Sequence, residues 1–269
     1  MYVDAGGPFG LTPRALYKSY LEPDANNAIP MDLNCLLVRA AGKTIVIDTG
    51  LGEKLTDKMK QIWGLSRPSG GLLPDLAALG VRPEDVDLVI DTHLHGDHAA
   101  GNTAFDTNGN IVPTFPNAEY VTQRGEYEDA MRPNERTRAT YFPMNYEPLV
   151  KSGQMRLLEG DTEIVPGIYG VVTRGHTPYH MSIRFESQGQ HALFLADLAS
   201  YAIHFERLGW MTAFDVEPIY TLETKRKWQQ WALDTGALLL FQHDPKIRAG
   251  HLVESGDKRR IEPVELAYG

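Results

Sequence analysis

Apolar residues along this chain fall mostly into short runs, and nearly every run is closed by a polar residue or a glycine. The β-rich runs on either side of "AGK" predict two strands joined as a hairpin over residues 34–50, the second ending at Asp48-Thr49-Gly50. The period then changes. Leu55, Met59 and Ile62 recur at helical spacing and predict a helix over 53–63. "LLPDLAALG" predicts a second short helix over 72–80, closed by Gly80, and "DLVI" (87–90) a buried strand. "AEYVTQ" and "RGEYEDAM" predict a strand followed by a helix, although residues 104–150 otherwise carry a weak signal. From 154 the texture is β, through "QMRLLEG", "TEIVPGIYGVVTRG", "HMSIRFES" and "HALFLAD". A helix over 222–237 and a buried strand in "LLLFQHDP" complete the pattern. Helices between strands recur in both halves, which predicts a layered α/β architecture. Residues 1–30 read as an irregular N-terminal arm wrapped on a core. With no repeat and no linker, residues 1–269 read as one domain.

Composition narrows the function classes. A formal charge of −9 argues against nucleic acid or an anionic membrane surface as partner, and "KRK" (225–227) and "DKRR" (257–260) read as solvated faces. No apolar run reaches the eighteen residues of a membrane span, and "MYVDAGGPFG" lacks the features of a secretory leader. The single cysteine, Cys35, has no internal disulfide partner and reads as an inert thiol in a strand. These features together predict a cytoplasmic protein.

The chemistry concentrates in "DTHLHGDHAAG" (91–101), which holds three of the nine histidines within six positions. Alternation along an extended chain leaving "DLVI" would put His93, His95 and Asp97 on one face. A sharp turn at Gly96 would then bring His98 to the same point. Imidazole nitrogen and carboxylate oxygen suit zinc, and also iron, manganese or cobalt. One His-x-His alone would read as exposed histidines about a helix N-terminus; His-x-His-x-Asp-His after a strand reads as a metal site. His176 in "GHTPYH", Asp197 in "ADL" and His243 in "QHD" likewise follow apolar runs. Five histidines and two carboxylates suit two cations that share one bridging carboxylate.

The motifs "HLHGDH", "GHTPYH", "ADL" and "QHD", in that order, resemble those of the metallo-β-lactamase superfamily of hydrolases, and the resemblance spans essentially the whole chain. It implies a four-layer αββα sandwich with the metal site at one edge of the two sheets. It also implies that His93, His95 and His176 hold one divalent ion and Asp97, His98 and His243 a second, with Asp197 bridging both. Asp48 of "IDTG" would orient a ligand. Two metal ions, most simply zinc, hold a hydroxide between them that attacks a carbonyl or phosphoryl centre, so no side-chain nucleophile is needed. The chain indeed lacks a Gly-x-Ser-x-Gly elbow.

Asp97 is expected to act in catalysis as well as in metal binding. Tyr201, four residues after Asp197, would polarise the carbonyl or assist the departing alkoxide, with a packed tyrosine as the alternative. His180 would line the pocket or orient a ligand, and Tyr179, which replaces a glycine common in lactonases, would narrow its mouth. Trp210, Met211 and Phe214 would wall a neutral ester, or else pack the sandwich. "FDVEP" resembles lactonase and methyl-parathion-hydrolase-like members. The expected activity is hydrolysis of a small neutral ester, a lactone first. Phosphotriesterase, arylesterase or thioesterase activity in the same site is the alternative, and an iron-dependent redox member or a non-catalytic binding protein ranks after these. The N-terminal arm and residues 130–146 read as a dimer contact or a lid.

Overall fold

A computed structural model of the chain describes residues 1–68 and 70–265. The chain forms two compact units, Cys35–Thr162 and Met1–Asn34 with Glu163–Gly269, and each is built on its own sheet.

The unit Cys35–Thr162 carries five strands in the order Leu36–Ala40, Lys43–Ile47, Leu88–Ile90, Glu119–Gln123, Met155–Leu158. The first pair is the expected hairpin: Ala41 and Gly42 turn it at φ of 51° and 72°, the mirror-image turn that matches strand twist. The remaining pairs are parallel, which requires crossovers, and helices supply two of the three. The third, from Leu88–Ile90 to Glu119–Gln123, carries one helical turn, Gly96–Ala99, and the hairpin of Thr103–Phe105 with Ile111–Pro113. Asp57–Ile62 and Leu72–Ala78 precede Leu88–Ile90, and Arg124–Met131 and Glu147–Lys151 precede Met155–Leu158. The first of these starts later than the apolar spacing suggests, because Thr56 caps it by accepting from the Met59 amide at 3.2 Å. Val46, Val89, Tyr120, Phe115 and Leu149 are among the buried core. Cys35 lies just before the strand Leu36–Ala40 rather than in it and is half-buried as a residue. Burial of its thiol pushes the pKa up, so it stays protonated.

In the second unit seven strands run in sequence order from Thr162–Val165 to Lys258–Pro263. Gln190–Phe194 and Leu238–Leu240 pair in parallel, and the long helix Pro218–Thr235 is the connection that permits it. That helix starts four residues before the predicted 222 because Pro218 is well suited to a first helical position. Residues 1–30 are more ordered than an irregular arm. Tyr2–Asp4 pairs with Ala28–Pro30, two short helices lie between them, and Phe9, Tyr17, Leu21 and Ile29 pack with Tyr201 and Ile203. Elements of three or four residues are too short to leave a period in sequence. The arm is therefore core of its own unit. Among the described residues no helix is long and apolar enough to cross a membrane.

Candidate metal centre

In the unit Cys35–Thr162 the chemistry starts where Leu88–Ile90 ends. Loops at the carboxyl ends of parallel strands are where open α/β sheets place their ligands. The strand stops at Ile90, so alternation does not aim His93, His95 and Asp97. His93 and His95 lie on irregular chain, and Asp97 and His98 on the single helical turn Gly96–Ala99. Gly96 acts through space rather than through a special turn. A Cβ there would come within 2.7 Å of the Phe142 ring. The His93 ring lies 4.5 Å from that of His95 and 3.9 Å from that of His98, and His98 Nε2 is 3.8 Å from Asp97 Oδ2. All four side chains are buried, Asp97 least, at 9% exposure.

Asp48 braces this cluster. Its carboxylate accepts from the Thr92 amide (2.8 Å) and hydroxyl (2.9 Å) and faces His98 Nδ1 at 3.0 Å. Facing an acceptor, His98 Nδ1 carries the ring proton, so Nε2 presents the lone pair. The Thr92 hydroxyl hydrogen points at Asp48, so Thr92 Oγ1 accepts from His93 Nδ1 at 3.2 Å, and Nε2 is again the donor nitrogen. Asp91 packs below, its pKa held well above the usual carboxylate range by burial and then by the charge of Asp48. It accepts from Asn102 at 2.7 Å, and Asn102 accepts from Thr49 at 2.9 Å.

In the other unit the structure brings His176, Asp197 and His243 together. Asp197 Oδ2 lies 3.1 Å from His176 Nε2, and Oδ1 lies 3.0 Å from His243 Nε2. His176 Nδ1 faces Asp215 at 3.0 Å, and His243 Nδ1 faces the Asp32 carbonyl at 2.8 Å. Both Nδ1 atoms therefore carry protons, and both Nε2 lone pairs point at carboxylate oxygens. Contacts of 3.1 and 3.0 Å between these nitrogens and a carboxylate need a positive centre between them, a second ring proton or a metal ion. One carboxylate shared by two such rings is a donor set that metal ions can use. The donor set fits metal ions on that ground, and the described residues hold His and Asp groups suited to two of them.

His180 supports Asp197 from behind. Its Nε2 accepts from the Asp197 amide at 3.1 Å, so the ring proton is on Nδ1, which donates to Thr173 Oγ1 at 2.8 Å. Thr173 then donates to Ser182 (3.0 Å) and Ser182 to the Leu195 carbonyl (3.0 Å), so every link has one direction. Gly175, just before His176, has φ of +147°, and a Cβ on it would meet Thr221 at 2.3 Å. That close approach lets the Val216 amide reach the His176 carbonyl at 3.2 Å.

Asp215 is the residue that sequence reasoning missed. It lies in "FDVEP", yet a lone aspartate in a loop has no period that marks it. Tyr201 packs in the core of its own unit. It is fully buried, its hydroxyl donates to the Pro30 carbonyl at 3.2 Å, and its ring stacks on Phe9. Burial, then the charge of Asp244, holds its phenol pKa well above the usual value. Trp210 meets Phe9 edge-on with ring centroids 6.0 Å apart, and Met211 is half-buried. Tyr179 and Phe214 are exposed, at 43% and 49%. His191 and His251 are half-buried, and His204 is buried.

Comparison with known proteins points to one family. The family model described as the metallo-β-lactamase superfamily matches residues 29–238. An N-acyl homoserine lactonase of Bacillus cereus is 29% identical over 243 residues, which cover 86% of this chain and 88% of that protein. The AttM N-acyl homoserine lactonase of Agrobacterium fabrum is 26% identical over 78% of this chain and 80% of its own. A solved structure of a probable metal-dependent hydrolase from Staphylococcus aureus superposes with a TM-score of 0.86 at 30% identity, over 98% of this chain and 94% of that one. AidC, a dizinc quorum-quenching lactonase solved with N-hexanoyl-L-homoserine product, superposes at 0.77 with 18% identity, over 100% and 92%. At that identity AidC speaks for the fold alone.

Proposed function

The chain belongs to the metallo-β-lactamase superfamily and has its fold, a metal-dependent hydrolase's; on that premise we propose that it opens the ring of a lactone. The lactone class follows from the relatives named above, and N-acyl homoserine lactones are the first members to test. We assign His93, His95 and His176 to one divalent ion and Asp97, His98 and His243 to the other, with Asp197 shared. The observation that carries this reading is the pair of Nε2 lone pairs aimed at the two oxygens of Asp197.

These residues would hold two zinc ions, which when bound would supply an activated water at neutral pH and would polarise the carbonyl under attack. The protein does the rest. Asp48, Asp215 and the Asp32 carbonyl fix the tautomers of His98, His176 and His243, so each ring is aimed before any ligand arrives. Asp97 is the most exposed of the seven proposed ligands, at 9%, and its carboxylate would take the proton that the attacking water releases and hand it to the departing alkoxide. Tyr179 and Phe214 offer apolar faces to a neutral substrate, whereas Trp210 packs on Phe9. For Tyr201 the hydrogen bond to Pro30 supports packing rather than catalysis. The single cysteine and the acidic charge are compatible with a cytoplasmic location.

The test pairs metal quantification on the purified protein with a panel of lactones, aryl esters, thioesters and phosphotriesters. Two equivalents of zinc and the highest kcat/KM on a lactone are expected. Full lactone hydrolysis by metal-free protein overturns the mechanism, and a preference for another ester class overturns the substrate.

A further inference from the structure

Glu126 lies on the helix Arg124–Met131, in the stretch "RGEYEDAM" that the sequence marks only as a helix. In the structure its side chain is fully buried. The reason is topological. The strand Glu119–Gln123 runs parallel to Leu88–Ile90, with Val121 beside Ile90, so the two strands end side by side. The helix opens immediately after Gln123, and its first turn therefore lies against the chain that leaves Ile90. That chain carries His93 and His95.

The contact is specific. Glu126 Oε1 accepts from the Leu94 amide at 3.0 Å and from the Tyr141 hydroxyl at 2.9 Å. Leu94 stands between the two histidines, and its amide belongs to the peptide plane that runs from His93 Cα to Leu94 Cα. Holding that amide orients the backbone at His93 and the residue from which the chain continues to His95. Tyr141 acts on the same stretch from the other side. It forms an isolated bridge with His95, its ring lies 4.8 Å from the His95 ring, and the neighbouring Thr140 carbonyl accepts from the Gly96 amide at 2.9 Å. Burying a carboxyl group costs free energy that an exposed glutamate on this helix would avoid. The stretch is irregular backbone, with no ladder of its own to hold it.

We propose that Glu126, through Leu94 and together with Tyr141, is a positioning residue that sets the spread of His93 and His95 and hence the geometry of the ion they hold. The proposal rests on the metal assignment above but not on the lactone. It also gives a role to residues 140–142, within a segment that reads in sequence as a lid or a dimer contact. Here they are a bracket for the ligand loop.

The experiment titrates zinc into the metal-free full chain against a chromophoric chelator and records the d–d spectrum of the cobalt form, for wild type, Glu126→Ala, Glu126→Gln and Tyr141→Phe. Loss of such a supporting hydrogen bond costs about 10–100-fold in metal affinity. Glu126→Ala is therefore expected to weaken one of the two sites by that factor and to shift the cobalt spectrum. Glu126→Gln keeps an acceptor oxygen and should restore most of the affinity. Tyr141→Phe leaves a folded protein with a smaller shift of the same sign, and it decides the matter where Glu126→Ala fails to fold. A merely structural role would lower the melting temperature of the metal-free protein and leave affinity and spectrum unchanged. That result, in Glu126→Ala or in Tyr141→Phe, overturns the proposal. A chain that binds metal as proposed but hydrolyses no lactone removes the substrate assignment and leaves Glu126 standing; a wild type that takes up no metal overturns both.

Discussion

Asp197 turns one carboxylate oxygen to Nε2 of His176 at 3.1 Å and the other to Nε2 of His243 at 3.0 Å. A third contact, from the Ser200 hydroxyl at 2.9 Å, and the His180-backed amide fix the carboxylate in that orientation. Asp197→Asn keeps the shape but replaces one oxygen by an N–H donor facing an imidazole lone pair. The variant is expected to fold, to retain at most one equivalent of zinc, and to lose at least about 100-fold in kcat, the scale of a lost charge-stabilising group. Metal analysis beside single-substrate kinetics checks both numbers, and two tightly held equivalents would remove Asp197 from its bridging role.

Asp215 and Thr212 form a second support. Asp215 Oδ1 accepts from the Thr212 hydroxyl at 2.7 Å and faces His176 Nδ1 at 3.0 Å. Asp215→Ala leaves His176 free to rotate and to take the other tautomer. Zinc affinity should fall about 10–100-fold. Excess zinc should then restore most of kcat, because no group that touches substrate is removed. A loss of kcat that saturating zinc leaves unrepaired would place Asp215 in the chemistry instead.

The parts of this molecule legible in its sequence share one property: the signal is local. The hairpin around Ala41-Gly42 shows as two β runs with a turn between them, and the long helix before Gly236 as sustained spacing. The histidine-rich loop shows as density of one chemistry. Its geometry was not legible, because the strand ends at Ile90 and a helical turn, rather than alternation, presents Asp97 and His98. Glu126 and Asp215 were hidden for the same physical reason. Each meets residues distant in sequence, Leu94 and Tyr141 in one case and His176 in the other. Nothing in the neighbouring residues distinguishes such a carboxylate from a solvated one.

Tyr201→Phe separates packing from catalysis. The substitution removes one hydroxyl that donates to the Pro30 carbonyl at 3.2 Å and leaves the stack on Phe9 intact. Stability is expected to fall by about 1 kcal/mol, the net value of one such hydrogen bond. On the preferred lactone kcat should stay within about threefold of wild type, since general acid–base help contributes about 100-fold or more where it exists. Denaturant unfolding and steady-state kinetics read the two effects independently, and a large drop in kcat with unchanged stability would return Tyr201 to the mechanism.

His204 gives the fold a defined acid sensitivity. Its ring is buried between Phe9 and Tyr201, both nitrogens lack a hydrogen-bond partner, and Lys225 donates to its backbone carbonyl at 3.1 Å. Burial first, then repulsion from Lys225 and His243, lowers its pKa to about 3, with the charge of Asp197 opposing. Above the unfolded value of about 6.5 the imidazole is neutral in both states and its titration contributes nothing to stability. As pH falls below that value the unfolded chain takes up a proton that the fold refuses until about 3, so stability declines across that window. The slope attributable to this one group is about 1.4 kcal/mol per pH unit. His204→Phe should remove that slope from the difference between variant and wild type. Near pH 7.5 it should be about 1 kcal/mol more stable, because two unsatisfied ring nitrogens leave the core. Urea unfolding of both metal-free proteins at pH 7.5, 6 and 5 measures that difference directly. Parallel stability profiles for the two proteins would mean that His204 accepts a proton in the folded state as readily as in the unfolded chain.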